Sequence, residues 1–264
     1  MRISIKCSTP FYAQLFDAVY PFDSKMLIKL FTNNIESSKS IFNIVVGKFI
    51  SLYLLTHPYI KSRFCETFVL YMNQYFIIYK PYLVASQFSP IENKETLANY
   101  FDVPKDVYPV GRLDADSEGL LILTNDTSLN HQLLHPSFAH QRTYYAQVDG
   151  AITKEAVQKL EAGVTIQVDG KPYLTKPARA AIFEIDPVVP PRNPPIRFRK
   201  EIPAPWIHLS LTEGKNRQVR KMTAAVGFPT LRLIRYSIGK LSIAGMQPGD
   251  MIEMGQKEIL YQLL

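Results

Sequence analysis

From Met72 onward, short apolar runs alternate with turn dipeptides such as Asn125-Asp126, Asp149-Gly150, Asp169-Gly170 and Pro248-Gly249. This rhythm predicts an α+β domain. Phe76 to Tyr79 reads as a strand that stops at Lys80-Pro81. Leu120 to Thr124 is apolar without alternation and predicts a strand buried on both faces. Thr143 to Val148 predicts a strand ending at Asp149-Gly150. Thr153 caps a helix that runs to about Ala162, and Gly163 ends it. Val164 to Val168 enters a hairpin at Asp169-Gly170. Ile207, Leu209 and Leu211 alternate with His208, Ser210 and Thr212, the period of a half-buried strand. Asn216 is the expected cap of a helix that Gly227 ends, two residues before Pro229. Leu231 to Tyr236 is a further strand. Pro187 to Pro205 is rich in Pro and Arg and predicts an exposed loop.

Residues 1–71 have a different texture. They hold a single glycine, Gly47, and show neither a helical nor a strand period. Two readings stand. One is a small helical extension. The other, which the scarcity of turns favours, is an atypical N-terminal segment that is non-native or disordered, with Met72 as a functional start and 72–264 as the catalytic domain. The apolar run Ile41 to Leu55 is interrupted by Lys48 and is short for a bilayer span of roughly 20 residues. The first residues lack the apolar core of a signal peptide. Cys7 and Cys65 make no disulfide framework and no four-ligand zinc site. The expectation is a cytoplasmic protein with no membrane association.

Charge adds a partner class. A formal net charge of +7 favours an anionic partner, nucleic acid first. The chemistry concentrates in Gly111-Arg112-Leu113-Asp114-Ala115-Asp116-Ser117-Glu118-Gly119, where acids at alternate positions run into an apolar strand. Acids so placed cost free energy unless cations or hydrogen-bond donors compensate. A calcium loop of the EF-hand type fails on two counts: position twelve is Asn125 instead of a bidentate Glu, and strand follows instead of helix. Two readings remain at this level, a solvated turn and one activated carboxylate beside an arginine.

A second constellation spans Glu213 to Met222. On a helix, Val219, Met222 and Val226 face the core, with Arg217, Arg220 and Lys221 on another stripe. Lys215 and Arg217 oppose the dipole at the helix start, which suggests an anion to be met there. The third is His140-Gln141-Arg142-Thr143-Tyr144-Tyr145. Adjacent tyrosines on a strand point to opposite faces, so one can pack in the core while the other lines a cleft. The five histidines show no metal spacing.

Taken together and in this order, the segments resemble the RsuA-type family of ribosomal RNA pseudouridine synthases, from about residue 73 to the C-terminus. The stretch Gly111 to Leu121 carries most of the likeness. Pro191 to Arg197, Glu213 to Met222 and Gly227 to Tyr236 look most like its E-type large-subunit branch. The resemblance implies a pseudouridine synthase catalytic fold: a mixed, mostly antiparallel sheet with flanking helices and a central RNA-binding cleft. It implies Asp114 as nucleophile, Tyr144 as active-site tyrosine and Arg220 as the basic partner of Asp114. Leu233 would line the base pocket. Arg112, Arg217, Lys221 and Arg235 would contact substrate, with Arg232 and the loop Arg192 to Lys200 adding phosphate contacts. Asp116 and Glu118 would hold the turn through backbone or Arg112. The implied partner is large-subunit ribosomal RNA, bound by a monomer, with no cofactor and no metal. Two features depart from the pattern: Arg142 stands where lysine is usual, and no S4 domain is recognisable in residues 1–71. The rivals are a non-catalytic RNA-binding protein of the same fold and a metal-dependent nuclease.

Overall fold

The computed structural model describes residues 73–197 and 199–263. The readings made for residues 1–71, and the start at Met72, lie outside them. Tyr75–Lys80 (β1) and Glu118–Thr124 (β3) pair antiparallel along their length. Both strands are buried on both faces, as the unbroken apolar run at Leu120 predicts. Leu120 and Ile122 join Tyr75, Ile77 and Tyr79 in one core cluster. Leu121 and Leu123 face the other way, onto Phe76, Ile78, Val84, Leu97 and Phe101.

Arg142–Val148 (β4), Trp206–Leu211 (β8) and Thr230–Ile238 (β9) form the other half of a nine-stranded sheet. Arg179–Ile182 (β7) and Met251–Glu253 (β11) are its edges, and the order is β11-β1-β3-β9-β4-β8-β7. Tyr108–Pro109 (β2) adds to β3, and Leu241–Ser242 (β10) adds to β9. One junction is parallel: β3 meets β9 at Glu118↔Ile234 and Gly119↔Arg235. Gly119 holds φ +107°, and a Cβ there would sit 2.4 Å from the Arg235 carbonyl oxygen. The glycine after the acidic cluster is what lets the two strands meet.

Helices cover the sheet. Thr127–Leu134 (α1) is capped by Asp126, whose carboxylate accepts from the Ser128 and Leu129 amides. Lys154–Ala162 (α2) has the predicted Thr153 cap and ends at Gly163. Gln218–Ala225 (α3) buries Val219 and Met222 against β8 and β4 residues, as its period predicts. Gln256–Leu263 (α4) packs Ile259 and Leu263 on the β1 side. Thr165–Val168 (β5) and Lys171–Leu174 (β6) make the expected hairpin; Asp169 and Gly170 at its tip both hold positive φ. No helix among the described residues is long and apolar enough to cross a membrane.

Two expectations need correction. Asn216 does not cap α3. Arg217 occupies the cap position with left-handed backbone, and the Gln218 carboxamide reaches back to accept from the Lys215 amide at 2.8 Å. That bond ties down the loop before the helix, and no side chain caps the first-turn amides of α3. The loop between β7 and β8 is also not wholly exposed. Arg232 donates to the Pro190 carbonyl at 2.8 Å, Arg199 pairs with Asp149, and the Arg192 guanidinium lies 4.2 Å over the Tyr82 ring. Its arginines are therefore partly committed within the protein.

Candidate active site

The acidic segment leaves β2 and enters β3 through a turn whose backbone is held at four successive carbonyls. Ser86 Oγ donates to Leu113 O at 2.8 Å, and the Ser117 amide donates to Asp114 O at 3.0 Å. The Leu83 amide donates to Ala115 O at 2.7 Å, and Arg220 Nη2 donates to Asp116 O at 2.5 Å. Lys80 lies beneath. Its ammonium is fully buried and donates to the carbonyls of Pro81 and Val84 at 2.8 and 2.7 Å, and to Ala115 O at 3.4 Å. Burial pulls the Lys80 pKa down to about 7, against the pull of Glu118, Asp116 and Asp114.

The alternate acids then separate by environment. Glu118, in strand and buried, accepts two hydrogen bonds from Arg232 at 2.9 and 2.8 Å. Asp116 accepts two from Arg217 at 2.9 and 2.7 Å, and Arg220 Nε approaches it to 3.4 Å. Burial raises the Asp116 pKa, but the Arg217 hydrogen bonds and the charges of Arg220 and Arg217 outweigh it and hold the carboxyl below its usual range. Asp114 is different. It lines the cleft, its contact within ion-pair distance is Arg217 Nη1 at 3.6 Å, and no hydrogen bond among the described residues ends on its carboxylate.

The arginines are thus distributed otherwise than the sequence suggests. Arg220 pairs with Asp116 and with two backbone carbonyls, Asp116 O and Thr230 O, while Arg217 is the cation beside Asp114. The cause lies at the start of α3. Arg217 takes φ 52° and ψ 33°, a conformation costing a non-glycine residue on the order of 1–2 kcal/mol. That bend precedes the helix and carries its guanidinium to the acids. Arg220 stands one turn further in and is more deeply buried. The anion expected at this helix start is supplied by the protein itself, as Asp114 and Asp116. Neither acid contacts Arg112, which is exposed at the mouth of the cleft. Glu118 holds its strand through Arg232 instead.

The cleft has a volume of about 520 Å³. Tyr144, Leu233, Arg235 and Asp114 all line it; Lys221 does not. Of the tyrosine pair, Tyr144 faces the cleft. Tyr145 turns to the opposite side of the sheet, stacked 4.2 Å from Tyr236 and edge-on to Phe183. Arg235 sits opposite Tyr144 in the β4–β9 register. It is buried, donates from Nε to Leu120 O at 2.8 Å and leaves Nη2, also buried, without a hydrogen-bond partner among the described residues. Arg232 is buried as well. Surface phosphate contacts are therefore excluded for both arginines.

Sequence reasoning passed over a hub on the far wall. Glu213 accepts from Tyr173 Oη at 2.6 Å, from the Lys176 amide at 2.9 Å and from Gln218 Nε2 at 2.6 Å. It joins the β5–β6 hairpin to the start of α3 and so fixes where Arg217 stands. A carboxylate two residues after a strand and five before a buried glutamine was the available signal. Ser86 was missed because its partner, the Leu113 carbonyl, is far away in sequence; Lys80, at the end of a strand before a proline, reads as a surface lysine although its ammonium turns inward onto Pro81 O and Val84 O.

Known proteins carry the same arrangement of sequence. The family model described as RNA pseudouridylate synthase matches residues 74–225. The ribosomal large subunit pseudouridine synthase E of Vibrio parahaemolyticus serotype O3:K6 is 47% identical over 69% of this chain and 74% of its own. The protein of the same description from Xanthomonas axonopodis pv. citri is 49% identical over 65% of this chain and 89% of its own. A crystal structure of a pseudouridylate synthase superposes with a TM-score of 0.59 at 25% identity, covering 73% of this chain and 74% of that one. The chain belongs to the RNA pseudouridylate synthase family, in the branch of the relatives described as ribosomal large subunit pseudouridine synthase E.

Proposed function

We propose that this protein, working in the cytoplasm, isomerises one uridine of large-subunit ribosomal RNA to pseudouridine, with Asp114 as the nucleophile. One observation carries the assignment of Asp114. Of the alternate acids, it alone faces the cleft with its oxygens uncommitted, while Asp116 and Glu118 are each forked by an arginine. A carboxylate engaged by two hydrogen bonds is a poor nucleophile; one left open beside a cation is a better one. The cation is Arg217, with Arg220 one layer behind it.

The reaction breaks the N1–C1′ bond, turns the uracil and joins C5 to C1′; the C5 proton leaves and N1 regains one. The substrate carries both partners of the new bond, so the reading requires no cofactor. The base must leave its stack to reach Asp114. Tyr144 offers a flat face for it and Leu233 an apolar floor. Arg112 at the mouth and Lys221 on α3 are positioned for phosphates.

Comparing pseudouridines in ribosomal RNA from cells with and without the gene tests substrate and activity together. One large-subunit position should lose its modification, regain it with the wild-type gene and fail to regain it with Asp114→Asn. Restoration by Asp114→Asn to within about tenfold of the wild-type rate, roughly 1.4 kcal/mol of barrier, would remove Asp114 from the chemistry. A full set of pseudouridines without the gene would remove the substrate assignment.

A further inference from the structure

The wall of the cleft between α1 and β4 is used by nothing in the mechanism above. It is short, aromatic and built with care. His135 ends α1 and begins a 3-10 turn, Pro136–Phe138; its Nδ1 lies 2.7 Å from Ser137 Oγ. Ala139 follows in left-handed backbone. Arg142 braces the segment from β4, donating to Leu133 O at 2.7 Å and to His140 O at 3.4 Å. The rings of His131, His135, Phe138 and His140 stand in series. Successive centroids are 5.2, 6.1 and 6.1 Å apart, and Phe138 and His140 are within 18° of parallel.

Fixed aromatics normally hide. Here Phe138 is 49% exposed, and His131 and His135 are exposed beside it. The wall is continuous with the cleft, because His135, Pro136, Ala139 and His140 line it together with Asp114 and Tyr144. Its charge excludes a basic partner and suits an anionic one: Thr127 to Arg142 contains no Asp or Glu, and Arg112 and Arg142 flank it at the cleft. Phe138 itself stands just outside the cleft lining, between His135 and His140, which belong to it; a protein partner would explain the exposed Phe138 but not this continuity with the site where a base must enter.

We infer that His135 and Phe138 form a stacking platform for an unpaired nucleobase next to the target uridine. The inference rests on the RNA-modifying reading of the cleft. Extracting one base leaves its neighbours with a face exposed, and aromatic rings recover part of the lost stacking whatever the base identity. The wall would then hold a neighbour while Tyr144 holds the target. Because the rings touch no reacting atom, the platform acts on RNA binding and register, and bond rearrangement is left to Asp114.

The test couples a protein change to an RNA change. The probe is a fluorescently labelled stem-loop with one unpaired uridine flanked by unpaired nucleotides, and a series with an abasic residue at each flanking position. Wild type, Phe138→Ala, His135→Ala and Phe138→Trp are compared for equilibrium binding and single-turnover pseudouridine formation, with melting temperatures recorded. Phe138→Ala should weaken binding of the intact RNA about tenfold, leave the saturating rate within about twofold and leave the melting temperature unchanged. Phe138→Trp should bind like wild type. At one abasic position the penalty of Phe138→Ala should vanish. An equal penalty on every RNA, or none on the intact one, overturns the platform. Absence of pseudouridine with wild type, together with position-specific coupling in binding, would instead overturn the enzymatic reading and keep the platform.

Discussion

Glu118 with Arg232 and Asp116 with Arg217 are the same chemistry in two places. Each is an arginine fork on a carboxylate with hydrogen bonds of 2.7–2.9 Å. The first lies in the floor of the site, its side chains 2% and 7% exposed. The second lies on the rim, 32% and 41% exposed. In the floor, the pair replaces solvation that neither charge can recover, so removing one partner strands the other. On the rim, water competes for the same guanidinium, and the pair can be exchanged at little cost. The floor fixes where β3 crosses β9, which sets the turn bearing Asp114.

The comparison breaks most directly at Arg232. Arg232→Met leaves Glu118 buried and unpaired, and also frees Pro190 O. The expected loss is about 3–5 kcal/mol, or a melting temperature lower by about 10 °C for a domain of this size. Replacing both, Arg232→Met with Glu118→Leu, should recover much of that loss. If the single change costs no more than about 1 kcal/mol by denaturant melt, the floor pair is not sealed and the contrast fails.

Lys80 sharpens the floor side through pH. Its folded pKa is lowered to about 7, below the ordinary lysine value. Between about pH 7 and 10.5 the unfolded chain holds a proton that the folded chain has released, so stability gains from this group as pH rises through that window. Its contribution is complete above the unfolded pKa and is lost as pH falls through the folded one. Denaturant midpoints of wild type and Lys80→Met at pH 6.5 and 9.5 measure it. The advantage of wild type should widen at the higher pH. A constant difference would mean that Lys80 stays protonated under the turn.

How much of this was legible follows the same division. The floor strands declared themselves: the unbroken Leu120 run, the Ile207–Leu211 alternation and the Asp169-Gly170 turn all appear where the pattern puts them. Period is a local property, and burial answers to it. The resemblance at Gly111 to Leu121 marked the turn, and Asp114, Tyr144, Leu233 and Arg235 do meet in one cleft. Which arginine meets which acid was not legible. Arg217 and Arg220 are three residues apart on one element, and their assignment depends on a left-handed residue at the helix start that no propensity foretells. The burial of Arg232 and Arg235 was missed for a related reason. Arginine on a strand reads as surface until the acid or carbonyl opposite it, more than a hundred residues away, is known.

The rim predicts smaller effects on stability and larger ones on function. Arg217→Met should change stability by less than about 1 kcal/mol yet slow single-turnover pseudouridine formation, since it removes the cation beside Asp114. Arg220→Met should slow it too, by releasing Asp116 O. Lys221→Met, away from the acids, should mainly weaken RNA binding and reduce its salt dependence by about one charge. Should Lys221→Met slow the saturated rate while Arg217→Met alters only the salt slope, the roles given to the two side chains are reversed.

The smallest effect expected comes from removing residues 1–71. Every strand of the nine-stranded sheet, both forked ion pairs, Lys80 with its carbonyls and all the cleft residues lie at or beyond Tyr75. A chain beginning at Met72 is expected to keep floor and rim intact. It should be soluble, melt within about 5 °C of the full chain and form pseudouridine at a similar single-turnover rate. A shift of 5 °C corresponds to roughly 1–2 kcal/mol at this size, comparable to a rim contact and well below the floor pair. A larger drop would show that the first 71 residues bury part of the domain surface and belong to its stability. A normal melt with lost turnover would place them on the RNA instead, as a third contact region beside the cleft and its aromatic wall. Thermal melts and single-turnover assays on the two chains, run side by side, separate these outcomes.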